Sequence, residues 1–372
     1  MPLPSARWAP LAQLHGHAQL VGFAGLLVMG IGYRVFPRFR GAPAPAATAV
    51  VASFALVATG LALRSALAWP AGEIRTAALA AGGILELAGA LVYARLVLGT
   101  LVAGDSEHRP DEILIALGAL WFPLGLMWAF VALAPALAGA PAGDPVADGA
   151  SVTALLLGFV ASTVLGVSLR VAPAFVAAPP APPRPVIAGA ALWYAGLTVL
   201  PLWPQVAPLA ILGGGLLLTW TVGVFRTSAA VQLLGAAARL TRLALRAGYL
   251  WLLFGLTLLA LAAVASWPIG GATTAARHAL ALGFLMSVVF AVGARLIPAL
   301  TGGRALPLAA VGAALALTNA AAVLRVGYEL AGSTAPGAPA ALAFSGLFAY
   351  AALLVFAVSA ARSVRSAVSA FA

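Results

Sequence analysis

Eleven stretches of roughly 20 apolar residues succeed one another along this chain, each long enough to cross the ~30 Å hydrocarbon core of a bilayer. Their limits fall near 11–36, 46–69, 74–100, 112–138, 149–172, 186–202, 205–225, 242–267, 276–298, 306–326 and 339–362. No pattern constrains a fold more strongly. Backbone N–H and C=O groups find no water in lipid, so spans of this length must be helices. Composition agrees: 63% of the 372 residues are apolar and 8% are charged, and the charges fall between the runs. The runs are too many and too late to form a cleavable signal peptide, and MPLPSARWAP lacks the charged-then-apolar layout of one. The expectation is an all-α polytopic membrane protein, a single transmembrane domain over residues 1–372.

The net charge of +11 comes from arginine alone. In such a chain it sets orientation rather than binding nucleic acid, for which no motif is present. Arg38, Arg40, Arg184, Arg226, Arg239, Arg242, Arg246, Arg304, Arg362 and Arg365 fall on one side of the span map, against Arg7, Arg75 and Arg277 on the other. The positive-inside bias then places the C-terminus in the cytoplasm and the N-terminus outside the inner (cytoplasmic) membrane. The segment Arg226–Arg246 is expected to lie along the cytoplasmic surface as an amphipathic helix. With no cysteine in the chain, disulfides, thiolate metal sites, iron–sulfur clusters and covalent c-type haem are excluded.

A second feature organises the spans. Gly22-Phe23 is followed by Arg34 and Pro37, Gly158-Phe159 by Arg170 and Pro173, and Gly283-Phe284 by Arg295 and Pro298. The register is the same each time, at steps of 136 and 125 residues. Such an internal repeat is far longer than a solenoid unit. It begins at the first, fifth and ninth spans, which predicts three pseudo-threefold repeats of four helices (about 11–138, 149–267 and 276–362, the last lacking one helix) around an axis along the membrane normal.

Five residues before each glycine stand His17, Thr153 and His278. Seventeen residues of helix put both histidines ~25 Å from the arginine of their copy, at one depth near the outer face. Two imidazoles at one level can clamp a flat ligand, and six-coordinate haem b needs such an axial pair; the other reading is that each histidine merely packs. His15 lies ~200° round the helix from His17. It therefore faces a different space, where it binds a second haem or a copper ion, or hydrogen-bonds at the interface. His108, in GDSEHRPDE, reads as a solvated loop residue. Arg277 is placed to neutralise haem propionates. Glu86 is costly in lipid and hence a functional candidate, with Arg64 a partner expected ~10 Å away along the membrane normal. Gly25, Gly30 and Gly32 give the first span a small-residue face.

Two resemblances follow. Three four-helix arcs with histidines on equivalent helices resemble subunit I of the haem–copper oxidases. In detail the chain is closer to the NnrS family of haem- and copper-containing membrane proteins associated with nitric oxide and nitrosative stress. LHGHAQLVGF (Leu14 to Phe23), Gly30 and FPRFRG (Phe36 to Gly41) match its first motif. His278-Ala279-Leu280, Gly283, Arg295 and Thr301-Gly302 match its second. The likeness implies haem, a small ligand such as nitric oxide, and a role in sensing, electron transfer or relief of nitrosative stress. A haem–copper oxidase needs two histidines for its low-spin haem, one for its high-spin haem and three for copper, and the chain has four in all with His108 in a loop, so no oxygen- or nitric-oxide-reducing binuclear centre is expected. The rival is a cofactor-free carrier whose pathway is lined by Glu86 and Arg64.

Overall fold

A computed structural model describes residues 5–226, 229–264 and 271–368, and every regular element among them is helical. Eleven helices stand where the apolar runs stand. They are α1 (Trp8–Arg40), α2 (Ala47–Ala68), α3 (Glu73–Ala103), α4 (Asp111–Ala132), α5 (Pro145–Val176), α6 (Pro183–Val199), α7 (Ala207–Val222), α8 (Ala236–Val264), α9 (Ala272–Thr301), α10 (Leu308–Ala331) and α11 (Ala338–Ser366). Nine of them, among the described residues, are long and apolar enough to cross a membrane. The exceptions are α6 and α7, at 17 and 16 residues. Nine of the eleven expected spans thus have spanning length, and the cause of the two short helices is local. Pro201 and Pro204 cannot donate within a helix, so α6 stops at Val199, and the N–H of Trp203 turns back to the Val199 carbonyl at 2.9 Å. Residues 265–267, assigned by sequence to the end of the eighth span, lie outside the described residues.

The chain divides into two compact units, Met1–Gly166 and Val167–Ala372. In the first, α2 and α3 form a hairpin packed through glycine. A Cβ on Gly60 would lie 2.6 Å from the Gly82 carbonyl, and one on Gly89 would lie 2.9 Å from the Ser53 carbonyl. In the second, α6 and α7 use the same device, since a Cβ on Gly214 would sit 2.8 Å from the Gly189 carbonyl. Without a hydrophobic drive between helices in lipid, such close backbone approach supplies the packing energy.

The three repeated helices share more than the sequence register. Each contains a π-helical stretch that begins one residue after the slot of His17, Thr153 and His278, at Ala18–Gly25, Ala154–Ala161 and Ala279–Leu285. Wide turns of this kind mark functional positions in many proteins. Each helix also ends four residues beyond its proline on a left-handed residue: Gly41 (φ 63°), Ala177 (φ 51°) and Gly302 (φ 73°). A residue with a Cβ is disfavoured there by roughly 1–2 kcal/mol. Ala177→Gly is therefore expected to stabilise the protein by about 1 kcal/mol, read as a raised melting temperature in detergent; an unchanged or lowered one would refute the shared cap.

The helix before the second and third copies repeats as well. Gly118, Trp121 and Gly125 on α4 reappear as Gly248, Trp251 and Gly255 on α8, both as Gly-x-Leu-Trp-x-x-x-Gly. A Cβ on Gly158 would lie 2.5 Å from the Trp121 ring, and one on Gly283 would lie 2.4 Å from Trp251. The repeat glycine is thus a seat for an indole in both copies. In the first copy a Cβ on Gly22 would instead meet Leu61 of α2 at 2.7 Å.

The expected surface helix over Arg226–Arg246 does not form as a separate element. Residues 236–246 are the opening turns of α8. Arg242 is buried and donates from Nη1 to the Val176 carbonyl at 2.7 Å, and Arg246 donates from Nε to the Val224 carbonyl at 2.9 Å. In the first unit Arg40 does the same, from Nε to Leu101 at 3.0 Å and from Nη2 to Gly104 at 2.8 Å. Carbonyls at a helix C-terminus lack internal partners, and guanidinium groups complement both their lone pairs and the negative end of the dipole. That local demand draws Arg242 inward and overrides the amphipathic pattern.

Candidate functional site

The ionisable groups that matter in the first unit converge from four helices. His17 is the residue of α1 immediately before its π turn, and its ring is buried. Its Nε2 lies 2.9 Å from Oε1 and 3.0 Å from Oε2 of Glu86 on α3, a carboxylate only 1% exposed. Arg64, at the end of the α-helical part of α2, approaches the same carboxylate with Nη1 at 3.8 Å and donates from Nη2 to the Ala129 carbonyl at 3.1 Å. Asp148, in the first turn of α5, acts electrostatically on both His17 and Arg64. Glu86 is seated by Gly60, where a Cβ would fall 2.7 Å from both its Cγ and its backbone nitrogen. Each buried charge thus has an opposite neighbour, as low-dielectric surroundings require.

The separation expected between Glu86 and Arg64 is overturned by that 3.8 Å contact. Heights counted along two helices ignore the reach of an arginine side chain, and the glycine-packed hairpin brings the two backbones together. Neither residue stands alone: Glu86 faces His17 and pairs with Arg64.

His278 holds the same slot on α9, and its surroundings in the second unit echo those of His17 with different connectivity. Its Nδ1 donates to the Thr274 carbonyl at 2.9 Å, one helical turn back. Glu329 of α10 stands 4.0 Å from the same nitrogen and is held by Arg325, four residues earlier on its helix, at 2.8 Å. Histidine, glutamate and arginine therefore meet in both units. In the first they come from three helices, and in the second glutamate and arginine share one. Sequence reading passed over Arg325 and Glu329. Their signal was the i, i+4 pairing of opposite charges inside an apolar run, beginning six residues after the run's nearest prior polar side chain, Asn319. Asn319 itself accepts from the Trp251 indole at 2.9 Å, which ties α10 to the repeated tryptophan.

The two rings present opposite nitrogens. A carbonyl oxygen only accepts, so His278 carries its proton on Nδ1 and, when neutral, its lone pair on Nε2. A carboxylate likewise only accepts, so a neutral His17 facing the Glu86 carboxylate with Nε2 carries its proton there and its lone pair on Nδ1. An axial ligand to a porphyrin uses the nitrogen remote from the backbone, Nε2. His278 fits that role as it stands, with Nδ1–H bonded to a backbone oxygen and a carboxylate behind it, the arrangement that orients metal-bound imidazoles. His17 fits only once Nε2 leaves Glu86.

The remaining sequence candidates separate. His15 is exposed while His17 is buried, in keeping with their different faces. Arg277 is half-buried beside His278. Thr153 turns its hydroxyl back to the Gly149 carbonyl at 2.9 Å. His108 is 73% exposed but pairs with Glu112 at 2.9 Å. Among the described residues no three His, Asp or Glu side chains gather as a metal cage.

No curated protein matches the chain. Residues 1–366 match the family model described as NnrS protein. That match covers all but the last few residues of a multi-pass, all-helical chain whose two motif histidines each sit before a π turn beside a glutamate and an arginine, and so the chain belongs to the NnrS family.

Proposed function

We propose that this membrane protein binds b-type haem and that His278 is an axial ligand, with Arg277 beside it as the counter-ion of a propionate. The observation that carries the reading is the ring of His278, whose Nδ1 donates to Thr274 at 2.9 Å, the kind of backbone bond that orients a metal-bound imidazole. His17 is proposed as the second axial ligand of that haem because it holds the same place in the repeated register. Iron held this way supplies one-electron chemistry and an affinity for small neutral ligands. With the family assignment, this supports a role in sensing, electron transfer or relief of nitrosative stress, nitric oxide being the natural candidate ligand. The threefold arrangement of four-helix arcs, with α6 and α7 as short spans in a locally thinned bilayer, belongs to the same proposal; the shared π turns and left-handed caps support it.

A reduced-minus-oxidised absorption spectrum of the purified protein, produced with haem supplied, tests the reading. Low-spin b-type bands are the expected result. A colourless protein under those conditions would sink it and leave the carrier reading, with the buried Glu86–Arg64 pair as the polar element.

The arginine distribution further supports an inner-membrane location with the N-terminus outside and the C-terminus in the cytoplasm. The chain has no native cysteine, so a single cysteine placed at Arg38 can be labelled cleanly. Labelling from the cytoplasmic side is expected, and labelling from outside would reverse the topology.

A further inference from the structure

We propose that Arg226, Arg239, Arg242 and Arg246 of the second unit form a binding site for the phosphate headgroup of an anionic phospholipid, a site independent of the haem reading above. The first observation is where the charge lies. Residues 1–166 hold eight arginines and eight side-chain carboxylates, whereas residues 167–372 hold twelve arginines and one carboxylate, Glu329. The whole net charge of +11 therefore resides in the second unit. Glu329 is engaged by Arg325 at 2.8 Å, beside His278 near the start of α9. That helix follows the end of α8 that lies ~33 Å from Arg242, so Glu329 cannot answer the arginines at the other end.

Those arginines converge. Arg239, Arg242 and Arg246 are spaced three and four residues apart and so share one stripe of α8. Two of them reach the segment after α7, Arg242 donating from Nη2 to the Arg226 carbonyl and Arg246 from Nε to that of Val224. The Arg226 guanidinium lies over the Trp220 ring, 4.2 Å from its centroid. Capping of carbonyls explains these hydrogen bonds but leaves the charge unanswered. Arg246 acts on Arg242 as a like charge, and like charges one turn apart destabilise a helix. Among the described residues the Nε–H groups of Arg226 and Arg242 also find no acceptor.

The first unit contains the same joint with its charge balanced. Arg40 and Val176 each stand three residues after their repeat proline, and Glu112 and Arg242 each stand six residues before the first glycine of Gly-x-Leu-Trp-x-x-x-Gly. In the first unit Arg40 faces Glu112 at 3.6 Å. In the second, the Val176 carbonyl accepts from Arg242 at 2.7 Å, and the carboxylate of the first joint is a guanidinium. The second joint therefore needs an anion from outside the chain. Phosphate suits it, because its oxygens match the guanidinium fork. A phospholipid carries that phosphate to the level where these helices end, and the exposed side chains of Trp220 and Leu243 offer apolar surface for its acyl chains. Under the orientation proposed above, this end faces the cytoplasmic leaflet, whose surface is negative.

Native mass spectrometry of the full-length protein in detergent, titrated with dioleoylphosphatidylglycerol, tests the site. Arg239→Gln, at an exposed position, is expected to weaken binding about fivefold, and Arg226→Gln/Arg239→Gln about thirtyfold. Arg34→Gln/Arg38→Gln removes the same charge from exposed positions of the first unit and should leave binding unchanged. Dioleoylphosphatidylcholine, which has the phosphate but no net charge, should bind more weakly, and inorganic phosphate should not displace the lipid. Equal losses from the two double variants would reduce the effect to diffuse positive charge and overturn the site. Undiminished binding in both Arg239→Gln and Arg226→Gln/Arg239→Gln would overturn it as well. Equal binding of phosphatidylcholine, or displacement by inorganic phosphate, would overturn the assignment to an anionic lipid.

Discussion

Replacing His278 with alanine is expected to abolish the low-spin haem spectrum, with a loss of bound haem far larger than from any other single change. The ring is oriented by its bond to Thr274, with Glu329 and Arg325 beside it. External imidazole should restore part of the signal by filling the cavity left by the side chain. His17→Ala should behave differently, leaving haem bound in a high-spin form that takes up carbon monoxide, because the proposed ligand His278 remains. His15→Ala should leave the low-spin bands intact, since His15 is exposed and faces away from the cluster. Wild-type spectra from both His17→Ala and His278→Ala would show that haem, if present, is held elsewhere.

The second large effect concerns stability. Arg64→Met is expected to destabilise the first unit by about 3–5 kcal/mol, because it strands the Glu86 carboxylate in a low-dielectric interior. Glu86→Ala should cost a similar amount by stranding Arg64, whose guanidinium is 3% exposed. Combining Glu86→Met with Arg64→Met should recover most of the loss, since an apolar pair of similar volume needs no compensation. Thermal melting in detergent gives the comparison. A double variant whose loss equals the sum of the two single losses would mean that the residues contribute separately rather than as a pair.

Much of the architecture was legible because lipid leaves the backbone few choices. Runs of roughly 20 apolar residues must be helices, and each helix stands where its run stands. The repeat was legible too, since glycine, arginine and proline at fixed spacing serve backbone needs that recur in each copy. The Gly-x-Leu-Trp-x-x-x-Gly pair on α4 and α8 was equally present in the sequence. It becomes meaningful only when each indole is found seated on the glycine of the next helix, because a tryptophan in an apolar run does not announce its partner. The two shortened helices show where hydropathy misleads, as it counts apolar residues without subtracting the turn that two prolines impose.

By itself, then, the sequence determined the class of fold, the helices and the equal register of His17 and His278, because these follow from hydropathy, length and spacing along one chain. Tertiary structure alone decided which nitrogen each histidine presents. For His17 that choice depends on a carboxylate 69 residues away, brought in by a neighbouring helix, and for His278 on the Thr274 carbonyl that the fold leaves within reach one turn back. The height of a residue along its own helix carries no information about the side chain that crosses from the next. Glu86 reaches His17 because Gly60 has no Cβ to keep it away, and Arg64 reaches Glu86 because its side chain is long enough to close a gap that residue counting left open.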